Sequence, residues 1–234
     1  MLETCSGTQA SDRFGITLDF VTKLHNGSIS EEEAKRFLRR EEPFVKKESV
    51  PVPPAKHDPL FSVSATTSLA AIKEKKTKKC FTGSRWTYRD SDFDNWLPAD
   101  QPNADACTIT TLAPSREWTF IEAAVAVLGI IGIDTNTDVA TIGEYLIKQG
   151  HTMTLAEAEE MVEKTEKSEE TGMRTDGYGN FFFIETGNPK NPVSVGYVSR
   201  DGRGWGAGVR SLGRGYRWSA DYRLLVRNLD TQKL

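Results

Sequence analysis

Apolar positions recur at helical spacing in the front of the chain and alternate at its back. Phe14, Leu18, Val21 and Leu24 lie three to four residues apart and predict a helix over residues 11–25. Asn26-Gly27 stops it. Ser30 and Glu33 form a capping box, in which each side chain accepts from the other's backbone N–H. They open a second helix to about residue 41, ended by Pro43. Residues 1–42 therefore predict a helical hairpin whose small apolar side must dock in cis or in trans. Periodicity is then lost over 43–79, where VPVPPAKHDP, SVSATTS and KEKKTKK follow one another. This stretch predicts an extended, proline-rich linker.

Residues 80–234 predict an α+β domain. Trp86 and Tyr88 alternate in a strand or hairpin over 80–97. Trp118, Phe120, Ile121, Val125, Val127 and Leu128 make the segment 117–148 the best candidate core, with Ser115 as the first cap. Asp138 caps a helix through Lys148, ended by Gly150. Thr154 and Glu157 form a second capping box ahead of a charged surface helix to about residue 170. Strands follow near 180–185, 193–199, 204–210 and 222–227, separated by Gly-, Asn- and Pro-rich turns. Phe181 and Phe183 point to one face and Phe182 and Ile184 to the other, so that strand must be covered on both sides. The expected architecture is thus a helical hairpin, a linker, a helical middle and a small antiparallel sheet of about four strands within 175–228.

Composition changes this picture little. The chain has 234 residues, 38% hydrophobic and 27% charged, with a net charge of −3. Such a balance gives the whole molecule no electrostatic reason to seek nucleic acid or a membrane surface. From Gly172 onward, however, ten basic residues face five acidic ones, about +5, which leaves about −8 for the rest. Cys5, Cys80 and Cys107 are odd in number and widely spaced, which fits neither a disulfide framework nor a zinc site. The opening residues lack the basic and apolar regions of a secretory signal. The longest nearly apolar run, 123–133, is too short to span a bilayer. A cytoplasmic protein is the expectation.

Candidate chemistry is sparse. His25, His57 and His151 stand beside no nucleophile motif, so no catalytic residue is assigned. Asp90, Asp92 and Asp94 open a D-x-D-x-D pattern, but Asn95 and Gln101 occupy the positions where a calcium loop needs Gly and Glu. The same Gly and Glu are missing after Asp134. Gly202, Gly204, Gly206 and Gly208 precede no helix and read as a glycine-bent hairpin. The KEKKTKK run reads as a solvated linker. No metal or cofactor is expected.

One constellation remains: Arg203, Trp205, Arg210, Arg214, Tyr216, Arg217 and Trp218, with Tyr222 and Arg223 beyond. Arg and aromatic residues on a strand platform bind proteins, or stack bases and pair phosphates. They also serve simply as core rings covered by Arg stems. The expected function is a non-enzymatic binding or interaction protein that uses this sheet for a protein partner. RNA or single-stranded DNA through the same residues is the alternative, and an enzyme assembled from dispersed residues is a third reading.

Three segments carry a resemblance: ISEEEAKRFLRREEPF (29–44), GYGNFFFIETGNPKNPVSVGYVSRDGRGWGAG (177–208) and YRLLVRN (222–228). Together they resemble a group of uncharacterised proteins from reduced-genome, candidate-phylum bacteria. That group has an EEAxRFLxRxNPF segment near the front, a WDxxGW-bearing sheet at the back and a closing RVFSRN strand. The chain departs from this pattern at Asn188-Pro189-Lys190 and at Arg203. The resemblance implies a layout and no activity, ligand or catalytic residue.

Overall fold

The segment GNFFFIE puts apolar side chains on both strand faces, Phe181 and Phe183 on one and Phe182 and Ile184 on the other, and such a strand needs a layer on each side. The computed structural model, which describes residues 59–130 and 132–231 within the unit Asp58–Leu234, gives it both. The elements in chain order are β1 (Phe61–Leu69), β2 (Lys75–Lys76), β3 (Trp86–Arg89), α1 (Asp92–Trp96), β4 (Asp100–Gln101) and β5 (Cys107–Pro114). Then come α2 (Phe120–Leu128), α3 (Val139–Lys148), α4 (Leu155–Glu166), β6 (Gly179–Glu185), β7 (Val193–Asp201), β8 (Gly204–Ser211) and β9 (Arg223–Arg227). Seven of the described strands form one sheet in the order β1-β5-β9-β6-β7-β8-β3, with GNFFFIE in the middle. The β6–β9 and β3–β8 pairs are parallel and the others antiparallel. Strands β2 and β4 form a separate ribbon.

This architecture corrects the expected fold class. The sheet is large and mixed rather than small and antiparallel, and three of its strands come from residues 61–114. Part of the expected linker is wrong as well: β1, β2 and a 3-10 turn at Thr77–Lys79 occupy it. The physical reason is the composition of β1, FSVSATTSL. It is an edge strand paired only to β5, so most of its side chains face water, and its alternation of Phe61, Val63, Ala65 and Leu69 with Ser and Thr is weak beside the flanking proline-rich and lysine-rich runs. The lysine run belongs to the fold too, with Lys75 on Glu159 and Lys76 on Asp100. The expected helical hairpin at 1–42 lies outside the described residues.

Two core layers sandwich the sheet. On one face α4 presents Leu155, Ala158, Met161 and Val162, and α1 presents Phe93, to Phe182, Ile184, Val198, Trp205 and Val209. On the other, Phe120 and Val127 of α2 and Ile142 and Leu146 of α3 meet Phe181, Phe183, Val195, Leu224 and Val226. Local signals start these helices. The cap of α2 is Thr119, in a full capping box with Glu122, and not Ser115. Asp138 caps α3, and Thr154 with Glu157 caps α4. Gly143 lets α3 lie close on β7, because a Cβ there would sit 2.8 Å from Pro192 Cγ.

Helices α2 and α3 cover only part of the second face. Over β7, β8 and β3 that face carries Tyr197, Ser199, Gly206, Arg210 and Tyr88, partly or wholly exposed, with Gly208 buried beneath Tyr197. This open strip carries Arg210 and the rings of Tyr88 and Tyr197.

A candidate binding pocket on the open face of the sheet

Cross-strand register builds the pocket. Leu224, Phe181, Tyr197 and Gly208 stand side by side on β9, β6, β7 and β8. Gly208 has no side chain to lift the Tyr197 ring: a Cβ there would lie 2.4 Å from the ring atoms. Tyr197 therefore lies flat across β8, and Arg210 covers it with its guanidinium carbon 4.9 Å from the ring centroid. Arg210 is held from two further sides. Its Nη2 donates to the Tyr197 hydroxyl at 3.0 Å and its Nη1 to Asp90 Oδ2 at 3.2 Å. Burial pushes the Tyr197 phenol above its ordinary pKa, so it stays a neutral hydroxyl.

Around this pair the rings of Phe181, Trp218 and Tyr222 border an open cavity of about 200 Å³, lined also by Gly177, Gly179 and Ser199. Phe181 lies 4.7 Å from Trp218 and 5.3 Å from Tyr222, and Trp218 meets Tyr222 edge-on at 5.2 Å. Trp218 is anchored from behind by stacking on Phe120 at 5.3 Å and by a backbone bridge to Trp118. These contacts hold the ring faces in place before any ligand arrives, which lowers the ordering cost of binding.

Of the seven residues singled out by the sequence, only Arg210 and Trp218 line this pocket. Trp205 is core: its ring is fully buried and Nε1 donates to Glu166 Oε1 at 3.0 Å. Arg203, 87% exposed, sits at the β7–β8 turn beside Asp201. Arg214 lies over the exposed ring of Tyr216 at 4.4 Å. Arg217 pairs with Glu117 at 3.5 Å and Glu122 at 3.9 Å. Sequence reasoning missed Tyr197 and Phe181 as pocket members, and Asp90 as the carboxylate that holds Arg210. Alternation along β6 and β7 was the signal for the two rings; Asp90, 120 residues from Arg210, gave none.

The other candidate chemistry resolves into structure. Asp90 serves Arg210 and the Asp92 amide, while Asp94 binds Arg89 through both oxygens. No group of three or more His, Cys, Asp or Glu side chains able to hold a metal gathers among the described residues. Cys80 and Cys107 are buried free thiols. Burial pushes both up to about 12, with Glu159 adding to the effect at Cys80 and Glu157 at Cys107. A thiol so far above neutrality is no nucleophile. Because folding raises these pKa values above the ordinary 9.0, the stability they favour is intact below pH 9 and is lost as pH rises toward 12. Each thiol then costs about 1.4 kcal/mol per pH unit. Urea unfolding at rising alkaline pH should show this slope, and Cys80→Ala should reduce it. No helix among the described residues is long and apolar enough to cross a membrane.

Searches of family models, curated proteins and solved structures each returned no match. The functional reading therefore rests on the geometry.

Proposed function

We propose that this is a non-enzymatic, cytoplasmic binding protein whose pocket at Phe181, Tyr197, Arg210, Trp218 and Tyr222 receives one large apolar or aromatic side chain of a partner protein. The observation that carries this reading is a preformed ring cluster, with Phe181 buried and Tyr197, Trp218 and Tyr222 half-buried, that opens to solvent on the uncovered strip of the sheet. The cavity is small for a free ligand and suits one inserted side chain. The two buried free thiols fit a reducing compartment.

The state of the arginines favours a protein over a nucleic acid. Arg203, Arg210 and Arg217 are each engaged by a carboxylate, while Arg214 lies over the Tyr216 ring and pairs with no acid among the described residues. Phosphate recognition needs several uncommitted cations along a track. Display of random peptides against the full chain tests the reading. Selected peptides should converge on a Phe, Tyr, Trp or Leu, and Arg210→Glu and Tyr222→Ala should each weaken them about tenfold or more. No convergence, or affinity unchanged in both variants, would sink it. Oligo-dT and oligo-U binding that falls steeply with salt would favour the nucleic-acid alternative instead.

A further inference from the structure

We infer that a second site, separate from the ring pocket, binds neutral carbohydrate. It is a groove of about 480 Å³ between the end of α1 and the β6–β7 turn, lined by Asn95, Trp96, Asn188, Asn191, Ser194 and Ser211 among others. Its volume falls within the range of small-molecule sites. The remaining lining residues are Leu97, Pro98, Thr186 and Gly187, so none of the lining side chains is ionisable. In a chain that is 27% charged, the polar side chains of this lining are amides and hydroxyls only.

Three features point to a polyhydroxylated ligand. First, Trp96 is 39% exposed at the groove wall, a large indole left facing water. The C–H faces of a sugar ring stack on such a surface, and no charge is needed. Second, the polar groups are unspent. Asn95 and Asn191 amides and Ser194 and Ser211 hydroxyls make no hydrogen bond to another described residue, and they are not among those with further contacts. Amides offer a donor beside an acceptor, which matches adjacent sugar hydroxyls that each do both. Third, the turn is rigid before binding. The Thr186 hydroxyl donates to the Asn191 carbonyl and accepts the Asn188 amide at 3.0 Å, while Asn188 Oδ1 accepts the Lys190 amide at 3.0 Å. The groove also holds no Asp or Glu, so the carboxylate pair of a glycoside hydrolase is missing from its lining and the site binds without cleaving.

Nucleotides and acidic peptides are disfavoured, because no Lys or Arg lines the groove to meet a phosphate or carboxylate.

The test is saturation-transfer NMR on the full chain with chitotriose, cellotriose, maltotriose and mannotriose. At least one should receive saturation on its ring protons. Trp96→Ala should weaken that sugar about tenfold, which is the loss of one stacking contact. Ser211→Trp fills the groove from an exposed position without touching the core, and should abolish the signal while leaving the fold intact. Binding should be unchanged between about 50 and about 500 mM salt. Silence from all four trisaccharides overturns the inference, as does a signal that persists in both variants.

Discussion

Glu157→Ala should unfold this protein more readily than any surface change, at a cost of about 3–5 kcal/mol. The carboxylate is 1% exposed and does three jobs. Oε2 accepts the Thr154 amide at 2.7 Å and closes the capping box of α4. Oε1 accepts Arg227 Nε at 2.8 Å and the Cys107 thiol at 3.2 Å. These contacts tie α4 to β9 and to β5. The capping box alone is worth about 1 kcal/mol, and an exposed ion pair would be worth less than that. Removing the buried partner is different, since it leaves a largely buried guanidinium and a thiol with no acceptor. Thr154→Ala is the matched control, because it breaks the cap and spares the pair. Urea unfolding should separate the two variants by about 2 kcal/mol or more. Equal losses would mean that Glu157 acts only as a cap.

That residue also shows what sequence can convey. The Thr154–Glu157 spacing announces a helix start, because capping is a local event spanning four residues. Asp138 announces α3 in the same way. The runs that became β6, β7, β8 and β9 were visible because turn residues punctuate them and their apolar content is high. Strands β1 and β5 were hidden for the opposite reason. Strand β5 reads CTITTLAP; its threonines suit a strand, but Thr110 and Thr111, buried side by side, break the apolar alternation. Thr111 is tolerated inside because its hydroxyl donates to the Thr171 carbonyl at 2.6 Å. Such a partner, 60 residues away, is not written in any local pattern. The parallel pairs β6–β9 and β3–β8 are equally non-local, so the sequence predicts a small antiparallel sheet where the chain builds a large mixed one.

The candidate site was legible only in part, and alternation explains why. Density of Arg and aromatic residues along the chain says nothing about which face each one takes. Trp205 falls on an odd position of β8 and enters the core against α4. Arg210 falls on an even position and reaches the open strip. The run of alternating glycines follows from the same register. Gly204 has a φ of 155° and a Cβ there would meet the Arg85 carbonyl at 2.8 Å, while Gly208 makes room for Tyr197. These glycines shape a ring-bearing surface rather than a phosphate loop.

Phe182→Ala should be the other severe variant, and the reason lies in its neighbour. Phe182 is fully buried on the face covered by α1 and α4. Its ring lies directly over Gly196 of β7, where a Cβ would come within 2.4 Å of the ring atoms. Truncating the ring removes the fill between sheet and helix and should cost about 3–5 kcal/mol. Adding a methyl at Gly196→Ala should cost about 1–3 kcal/mol, because a close-packed ring has nowhere to go. The two losses share one cause and should not add. In the double variant the new methyl enters the space the ring vacated, so the total should fall short of the sum by about 1 kcal/mol or more. Thermal or urea unfolding of the four proteins decides it. Strict additivity would mean that strain at Gly196 comes from the backbone rather than from the ring. It would also remove the packing argument for why β7 carries glycine on this face.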